Sequence, residues 1–278
     1  MAAETKDHWS SEAYQNSASF VPKLATRVMQ WLDPQPDDHI LDIGCGDGIL
    51  DVEIGKTLAK GQGKLHGIDN SKAMIDAATK KLQEAGVGNF TLEVCDALDV
   101  LNHPTIPKQQ FTKVFSNAAM HWILKPHDRH EAFFQGVRES LQPGGKFVFE
   151  MGGLGNVCEM VTALLITVGR RIGHENAVAI NPWFFGDEEW ARNVLEDKVG
   201  GWKVEKVERE WRPTTADKGG VESWVRLMGA KWLEAIEDKA EREDAVQEAV
   251  KALKVVCRKP DDEYMISYVR LRVLARKI

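Results

Sequence analysis

The chain has 278 residues, 43% hydrophobic and 28% charged, which excludes a disordered polymer and fits a globular domain. Its 36 Lys and Arg against 42 Asp and Glu give a net charge of −6, and with no long basic run this argues against a nucleic-acid partner. No apolar run approaches the roughly 20 residues a bilayer span needs, and the polar start carries no secretory core, so no membrane partner and a cytoplasmic location are expected. Cys45, Cys95, Cys158 and Cys257 form no Cys-x-x-Cys pair, so neither a metal site nor a disulfide framework is expected.

Phe20 to Leu32 carries Val21, Leu24, Val28 and Leu32 at helical spacing, and Asp33–Asp38 breaks the chain. His39–Ile43 reads as a short buried strand running into Gly44-Cys45-Gly46-Asp47-Gly48, and a helix follows with Leu50, Ile54 and Leu58 inward. Lys64–Ile68 predicts a second strand, and Asp69-Asn70-Ser71 opens a helix bearing Met74, Ile75, Ala78 and Leu82. Phe90–Val94 and Phe111–Phe115 predict strands three and four. Phe134, Val137 and Leu141 mark a helix that should stop at Pro143-Gly144-Gly145, before a fifth strand over Lys146–Met151. Alternation at this spacing means a doubly wound, mostly parallel α/β sheet.

After Gly153 the rhythm changes. Helices are expected near 156–172 and 187–199, a sixth strand over Val204–Trp211, and one helical face through Val221, Trp224, Met228, Trp232 and Ile236. Val246, Val250 and Leu253 form another stripe, and Glu263–Leu274 predicts a final strand. The expected organisation is an N-terminal helical lid over 1–34, a cofactor-binding core over 35–154, and a helical cap with sheet-completing strands of the same domain over 155–278.

Strand, glycine loop and helix is the layout of a nucleotide-cofactor site, and in such sheets ligands sit beyond the carboxyl ends of the strands. A dinucleotide loop needs a third glycine where this chain has Ile49, and Asp42 and Asp47 flank the loop and would repel a pyrophosphate. Those carboxylates suit a cation. S-adenosylmethionine, with an ammonium, a sulfonium and no phosphate, fits. Asp69 at the end of the second strand is placed for the ribose hydroxyls. Asp96 and Ala97 are placed for the adenine, and Met74 can pack on its face.

The segments Leu41–Gly48, Gly67–Ser71, Cys95–Ala97 and Leu141–Gly145 together resemble the ordered motifs of class I S-adenosylmethionine-dependent methyltransferases, over about residues 35–151. Ser116–Ile123, with the early Trp9 and Tyr14, is similar to trans-aconitate methyltransferases. The broader match is to small-molecule methyltransferases of the ubiquinone/menaquinone-biosynthesis type. The resemblance implies a seven-stranded sheet with the last strand antiparallel, and Gly44, Cys45 and Gly46 holding the methionine end. It implies Asp69 and Asn70 at the ribose, Asp96 and Ala97 at the adenine, and Asn117 along the methionyl side. Tyr14 and Met74 complete the expected cofactor set.

An acceptor would approach past the fourth strand, where His121 is the candidate base. Trp122, Trp183 and Phe185, with Phe184 and Trp190, are the candidate aromatic walls for a small, partly apolar acceptor. The cap holds six of the nine tryptophans, more than its helices should need as core. His127 and His130 read as solvated helix-start residues, and the Trp224–Trp232 stripe reads first as core packing. Trp9, Tyr14 and Phe20 are placed to close over the cofactor as a lid. The competing readings are an NAD-dependent oxidoreductase and a non-catalytic, cofactor-binding partner of another methyltransferase.

Overall fold

The protein is described by a computed structural model covering residues 25–216 and 219–278. The first helix, α1 (Thr26–Leu32), buries Val28, Met29 and Leu32 and ends at Asp33 in the left-handed region. Then β1 (His39–Ile43), α2 (Ile49–Leu58), β2 (Lys64–Asp69), α3 (Lys72–Glu84), β3 (Phe90–Val94) and β4 (Phe111–Asn117) alternate as the periodicity predicts. A single helical turn, α4 (Met120–Ile123), and then α5 (His130–Ser140) lead into β5 (Leu141–Gly152).

The sheet has seven strands in the order β3-β2-β1-β4-β5-β7-β6. β1 to β5 are mutually parallel, whereas β7 (Met265–Lys277) runs antiparallel to β5 and to β6 (Trp202–Thr215). Strand order reverses at β1, because β2 lies on one side of it and β4 on the other. That reversal opens a crevice above the carboxyl ends of β1 and β4.

Alternation along the central strands sends side chains to two cores. Val114, Phe147, Phe149, Leu271 and Val273 pack on one face with Phe133, Phe134 and Val137 of α5. Ile40, Phe115 and Val148 pack on the other with Val28, Leu32, Ile54 and Leu58 of α1 and α2. A third core lies above the sheet, where α6 (Cys158–Ile172), α9 (Gly220–Met228), α10 (Ala230–Glu234) and α11 (Lys239–Val256) enclose Trp183, Trp224 and Trp232. Two short helices, α7 (His174–Ala179) and α8 (Glu188–Arg192), complete the cap, and α8 continues as a π-helical turn, Asn193–Val199.

Three expectations change. The helix ahead of β5 ends at Ser140, and Leu141-Gln142-Pro143-Gly144-Gly145 already belongs to the strand. A register shift against β4 between Phe111 and Lys113 absorbs this Pro-Gly-Gly run. The face through Val221 and Ile236 is two helices rather than one, broken at Gly229, where a Cβ would meet Val225 O at 2.5 Å. The cap tryptophans are mostly core: Trp183, Trp202, Trp224 and Trp232 are buried, while Trp211 is exposed. Indole N–H groups of Trp224 and Trp232 donate to Tyr268 Oη and Ala177 O, each at 2.7 Å, so their burial satisfies the polar edge. Among the described residues no helix is long and apolar enough to cross a membrane. Nor is any group of three or more His, Cys, Asp or Glu placed among them to hold a metal ion.

Candidate active site

The loop after β1 is built on positive φ angles at Gly44, Gly46 and Gly48 of 73°, 57° and 72°. Side-chain-bearing residues adopt that region reluctantly. At Gly44 space is also limiting, since a Cβ would lie 2.3 Å from Ala119 Cβ. Glycine is what lets the β1 loop rest against the loop after β4. Gly44 and Cys45 donate their N–H groups to Ile68 O at 2.8 and 3.0 Å, and Ser116 Oγ donates to Ile43 O at 2.7 Å. The ends of β1, β2 and β4 are thereby fixed relative to one another.

Asp69, at the end of β2, accepts from Gly46 N at 3.0 Å on Oδ2 and from Ser71 N at 2.9 Å on Oδ1. Ser71 Oγ in turn caps α3 by accepting from Met74 N at 3.2 Å. After β3, Asp96 Oδ1 accepts from Leu98 N at 2.9 Å and shapes the turn Ala97–Asp99.

These loops converge on a cleft of about 420 Å³. Gly44, Cys45, Gly46, Asp69, Asn70, Met74, Asp96, Ala97 and Asn117 all line it. Tyr14, the tenth residue of the expected cofactor set, lies outside the described residues, as do Trp9 and Phe20 of the expected lid. Sequence reasoning passed over Lys125, Pro126, Pro182 and Lys231, which line the mouth. Lys125 and Pro126 follow closely on the Ser116–Ile123 segment, whereas the folding of the cap brings Pro182 and Lys231 there.

The cleft floor is acidic. Asp42 is buried, and burial first, then the charge of Asp51, pushes its carboxyl well above the usual range. Burial likewise raises the fully buried Asp51, to about 6. Asp42 Oδ1 and both Asp51 oxygens find no donor among the described residues. Contact between the two carboxyls is therefore a hydrogen bond only while one of them holds a proton. Asn117 Oδ1 is a further buried acceptor without a donor. Asp47 differs from expectation, since Lys81 Nζ meets its Oδ2 at 2.6 Å and offsets its charge. Asp42 and Asn117 thus carry the acceptor atoms left without donors at the floor, whereas the charge of Asp47 is offset. The Cys45 thiol is pushed up by burial and by the charges of Asp51, Asp42 and Asp69, so it stays protonated.

A second cavity of about 40 Å³ adjoins the cleft and shares Ala118 and Trp122 with it. Trp183, Phe185 and His121 line this small cavity, not the cleft. The Trp183 and Phe185 rings stack at 6.0 Å, and Trp122 meets Trp183 edge-on at 5.4 Å. Phe184 and Trp190 face elsewhere, packed at 4.8 Å on each other and against the His130 ring. His130 is buried, with Nε2 at 2.7 Å from Leu124 O, instead of solvated.

His121 is 8% exposed. Its Nδ1 accepts the Gly152 N–H at 3.3 Å, which leaves the imidazole proton on Nε2. Burial first, and then the charge of Arg270, holds its pKa down to about 3. A base that weak takes up little proton at neutral pH. The imidazole is therefore neutral near pH 7, and it lines the small cavity rather than the cleft.

Comparison with known proteins agrees with this geometry. A family described as "Methyltransferase domain" matches residues 40–145, the segment that carries the glycine loop and the next three strand ends. The chain is 35% identical over 276 residues to "Uncharacterized methyltransferase C70.08c" of Schizosaccharomyces pombe, covering 98% of this chain and 99% of that one. It is 27% identical over 143 residues to a trans-aconitate 2-methyltransferase of Acidovorax sp., covering 51% of this chain and 49% of the relative. The crystal structure of a putative methyltransferase from Bacillus halodurans shares the fold, with TM-score 0.59, 13% identity and coverage of 92% of this chain and 99% of that one. Nothing in these likenesses supports a dinucleotide oxidoreductase. The match along nearly the whole chain, and the glycine loop at the switch point of the sheet, show that the chain belongs to the class I S-adenosylmethionine-dependent methyltransferases.

Proposed function

We propose that the cleft binds S-adenosylmethionine and that its methyl group passes to a small, partly apolar acceptor entering between the Asn117–Trp122 loop and the cap. The observation that carries this reading is the pair of buried acceptor oxygens without donors, Asp42 Oδ1 and Asn117 Oδ1, at a cleft floor formed by the glycine loop. Buried acceptors without donors are costly, and an ammonium supplies three donors and a positive charge. The residues present thus fit the methionine end of the cofactor. Asp69 stands where two ribose hydroxyls can be held, and Asp96 with the Ala97 backbone borders the adenine end.

When bound, the cofactor supplies an electrophilic methyl group on a positively charged sulfur. An acceptor lone pair forms the new bond to the methyl carbon while the carbon–sulfur bond breaks, leaving a neutral thioether. The chain holds both partners in line, and such positioning lowers a barrier by up to roughly 7–11 kcal/mol. Trp122, shared by the cleft and the small cavity, can favour passing positive charge through its ring by about 0.5–2 kcal/mol. Since His121 stays neutral, an acceptor that is already ionised needs no base from this chain.

Incubating the purified chain with labelled methyl donor and a metabolite extract, then finding the labelled product by mass spectrometry, tests the reading. A labelled small molecule that requires the folded chain supports it. Label found only on protein, or on nothing, contradicts it.

A further inference from the structure

Two residues that frame the small cavity beside the cleft are held in the left-handed backbone region. Ala118, between β4 and α4, has φ of 57°, and Val157, just ahead of α6, has φ of 46°. Neither is a glycine, and a β-branched side chain adopts that region only where its surroundings force it. The fold fixes both, since Ala118 donates its N–H to Glu150 O at 2.8 Å and Val157 donates to Ser267 O at 2.9 Å. Strained backbone at two points around one cavity points to a use for the space between them.

The polar wall of the cavity is built on Gly152, at the end of β5. A Cβ there would lie 2.6 Å from Phe185 Cε1 and 2.7 Å from Asn156 Nδ2, so glycine is what lets those side chains close in. The Gly152 N–H donates to His121 Nδ1, which puts the imidazole proton on Nε2. Val269 N–H donates to Asn156 Oδ1 at 2.9 Å, which leaves the amide NH2 as the remaining polar group of Asn156. Tyr268 Oη accepts the Trp224 indole N–H. Three side-chain acceptors of this wall thus each hold an N–H of the fold already. His121 Nε2–H and Asn156 Nδ2 are donors, and neither finds an acceptor among the described residues. Both are neutral. Arg270, the charged residue of the wall, is ion-paired with Glu150 at 3.8 Å. Burial raises the Glu150 carboxyl, and the charge of Arg270 is the leading influence that opposes the rise. About 40 Å³ is room for a carbonyl group.

We propose that the small cavity anchors the acceptor by an uncharged carbonyl oxygen, held by His121 Nε2–H and Asn156 Nδ2, with the apolar body of the molecule against Trp122 and Trp183. The proposal rests on the cleft binding the methyl donor. A carbonyl oxygen has two lone pairs and no proton of its own, so it can serve both donors. An apolar group in its place leaves both donors unmade, which is a strong means of rejection. A carboxylate would give up its hydration for two neutral donors. Ala118 and Trp122 belong to the cavity and to the cleft, so the reacting atom of the same molecule lies on the cleft side. His121 and Asn156 then decide which acceptor is taken and have no part in the bond-making step.

The test titrates the full chain, saturated with S-adenosylhomocysteine, with three probes that share a phenol body: 4-hydroxyacetophenone, 4-ethylphenol and 4-hydroxybenzoate. Calorimetry reads affinity. Nitrogen-15 spectra of the histidines read the His121 Nε2–H, assigned by its loss in H121F. The ketone should bind about tenfold tighter than the ethyl compound and at least as tightly as the acid. The ketone should also shift the Nε2–H resonance, and the ethyl compound should leave it in place. N156D keeps an oxygen for Val269 N–H and removes the donor, while H121F removes the other donor. Each should cut the preference for ketone over ethyl compound below about threefold and leave S-adenosylhomocysteine affinity unchanged. If H121F does not fold, N156D and the spectra of the unaltered chain decide. Equal binding of ketone and ethyl compound overturns the proposal, as does tighter binding of the acid or failure of all three probes to bind. Full preference in N156D, or a preference without a shifted Nε2–H, places the carbonyl elsewhere and also overturns it. No binding of S-adenosylhomocysteine by the unaltered chain overturns the reading of the cleft, and this proposal with it.

Discussion

Asp69 Oδ2 accepts the Gly46 N–H at 3.0 Å, so the carboxylate expected at the ribose also holds the glycine loop in place. Its other oxygen serves Ser71 N, the residue that caps α3. Asp69→Ala should therefore do two things. It should weaken S-adenosylmethionine binding at least about tenfold and lower stability by about 1–3 kcal/mol, because two N–H groups lose their acceptor. Asp69→Asn keeps an acceptor oxygen and should recover most of the stability while binding stays weak. Calorimetry and denaturant unfolding on the two variants separate these effects. Equal loss of stability in both would show that the acceptor geometry is not what matters.

Gly44→Ala should be worse for binding than any single side-chain loss in the cleft. The added methyl group meets Ala119 Cβ at 2.3 Å on a backbone with φ of 73°, so either the β1 loop or the β4 loop has to move. A stability loss of about 1–3 kcal/mol is expected, with cofactor affinity falling below detection. A folded variant that binds normally would show that the loop adapts.

The buried Asp42–Asp51 pair makes a pH prediction with a defined sign. Asp51 rises from the usual carboxyl range to about 6 in the folded chain, and Asp42 is raised as well. The folded state therefore binds more protons than the unfolded one, and the pair's contribution to stability is complete below about pH 4 and is lost as pH rises through about 6. Asp51→Asn should flatten that fall and gain about 1–3 kcal/mol at pH 8 relative to the parent. Binding should run the other way. An ammonium at Asp42 favours the ionised carboxyl, whose pKa the fold raises, so binding should release a proton and cofactor affinity should increase as pH rises. Thermal unfolding across pH checks the first part, and calorimetry in buffers of different ionisation enthalpy checks the second. Parallel stability profiles for parent and variant would contradict the account.

His121 should not set the pH dependence of turnover. With its basicity held down to about 3, the imidazole is neutral throughout pH 5–9. Turnover of the parent and of His121→Ala should have the same shape against pH, differing only in scale. An inflection near neutrality that vanishes in the variant would restore His121 as a base.

The sheet was legible because β1, β2, β4 and β5 carry apolar residues up to a Gly, Asp or Asn at the strand end, and β3 alternates apolar and polar residues shortly before Asp96. The cofactor side of the cleft was legible for the same reason: Gly44, Asp69, Asp96 and Asn117 stand at strand ends, where topology alone brings them together. The cap was not. Its tryptophans carry helical spacing whether they line a pocket or fill a core, and only packing shows Trp224 and Trp232 turned inward with their N–H groups satisfied. Asp51 reads as an ordinary polar residue in a helix, yet the first turn of α2 buries it against Asp42. Asn156 reads as an ordinary loop residue, and its place beside His121 is visible only once both are seen to close on Gly152.

The central claim is that an acidic cleft floor with unpaired acceptors holds a cationic methyl donor rather than a dinucleotide. Calorimetric titration of the full chain with S-adenosylmethionine and, separately, with NAD tests it most directly. The account predicts saturable one-to-one binding of S-adenosylmethionine and none of NAD at the same concentrations. Binding of NAD, or no binding of S-adenosylmethionine by the folded chain, would contradict it.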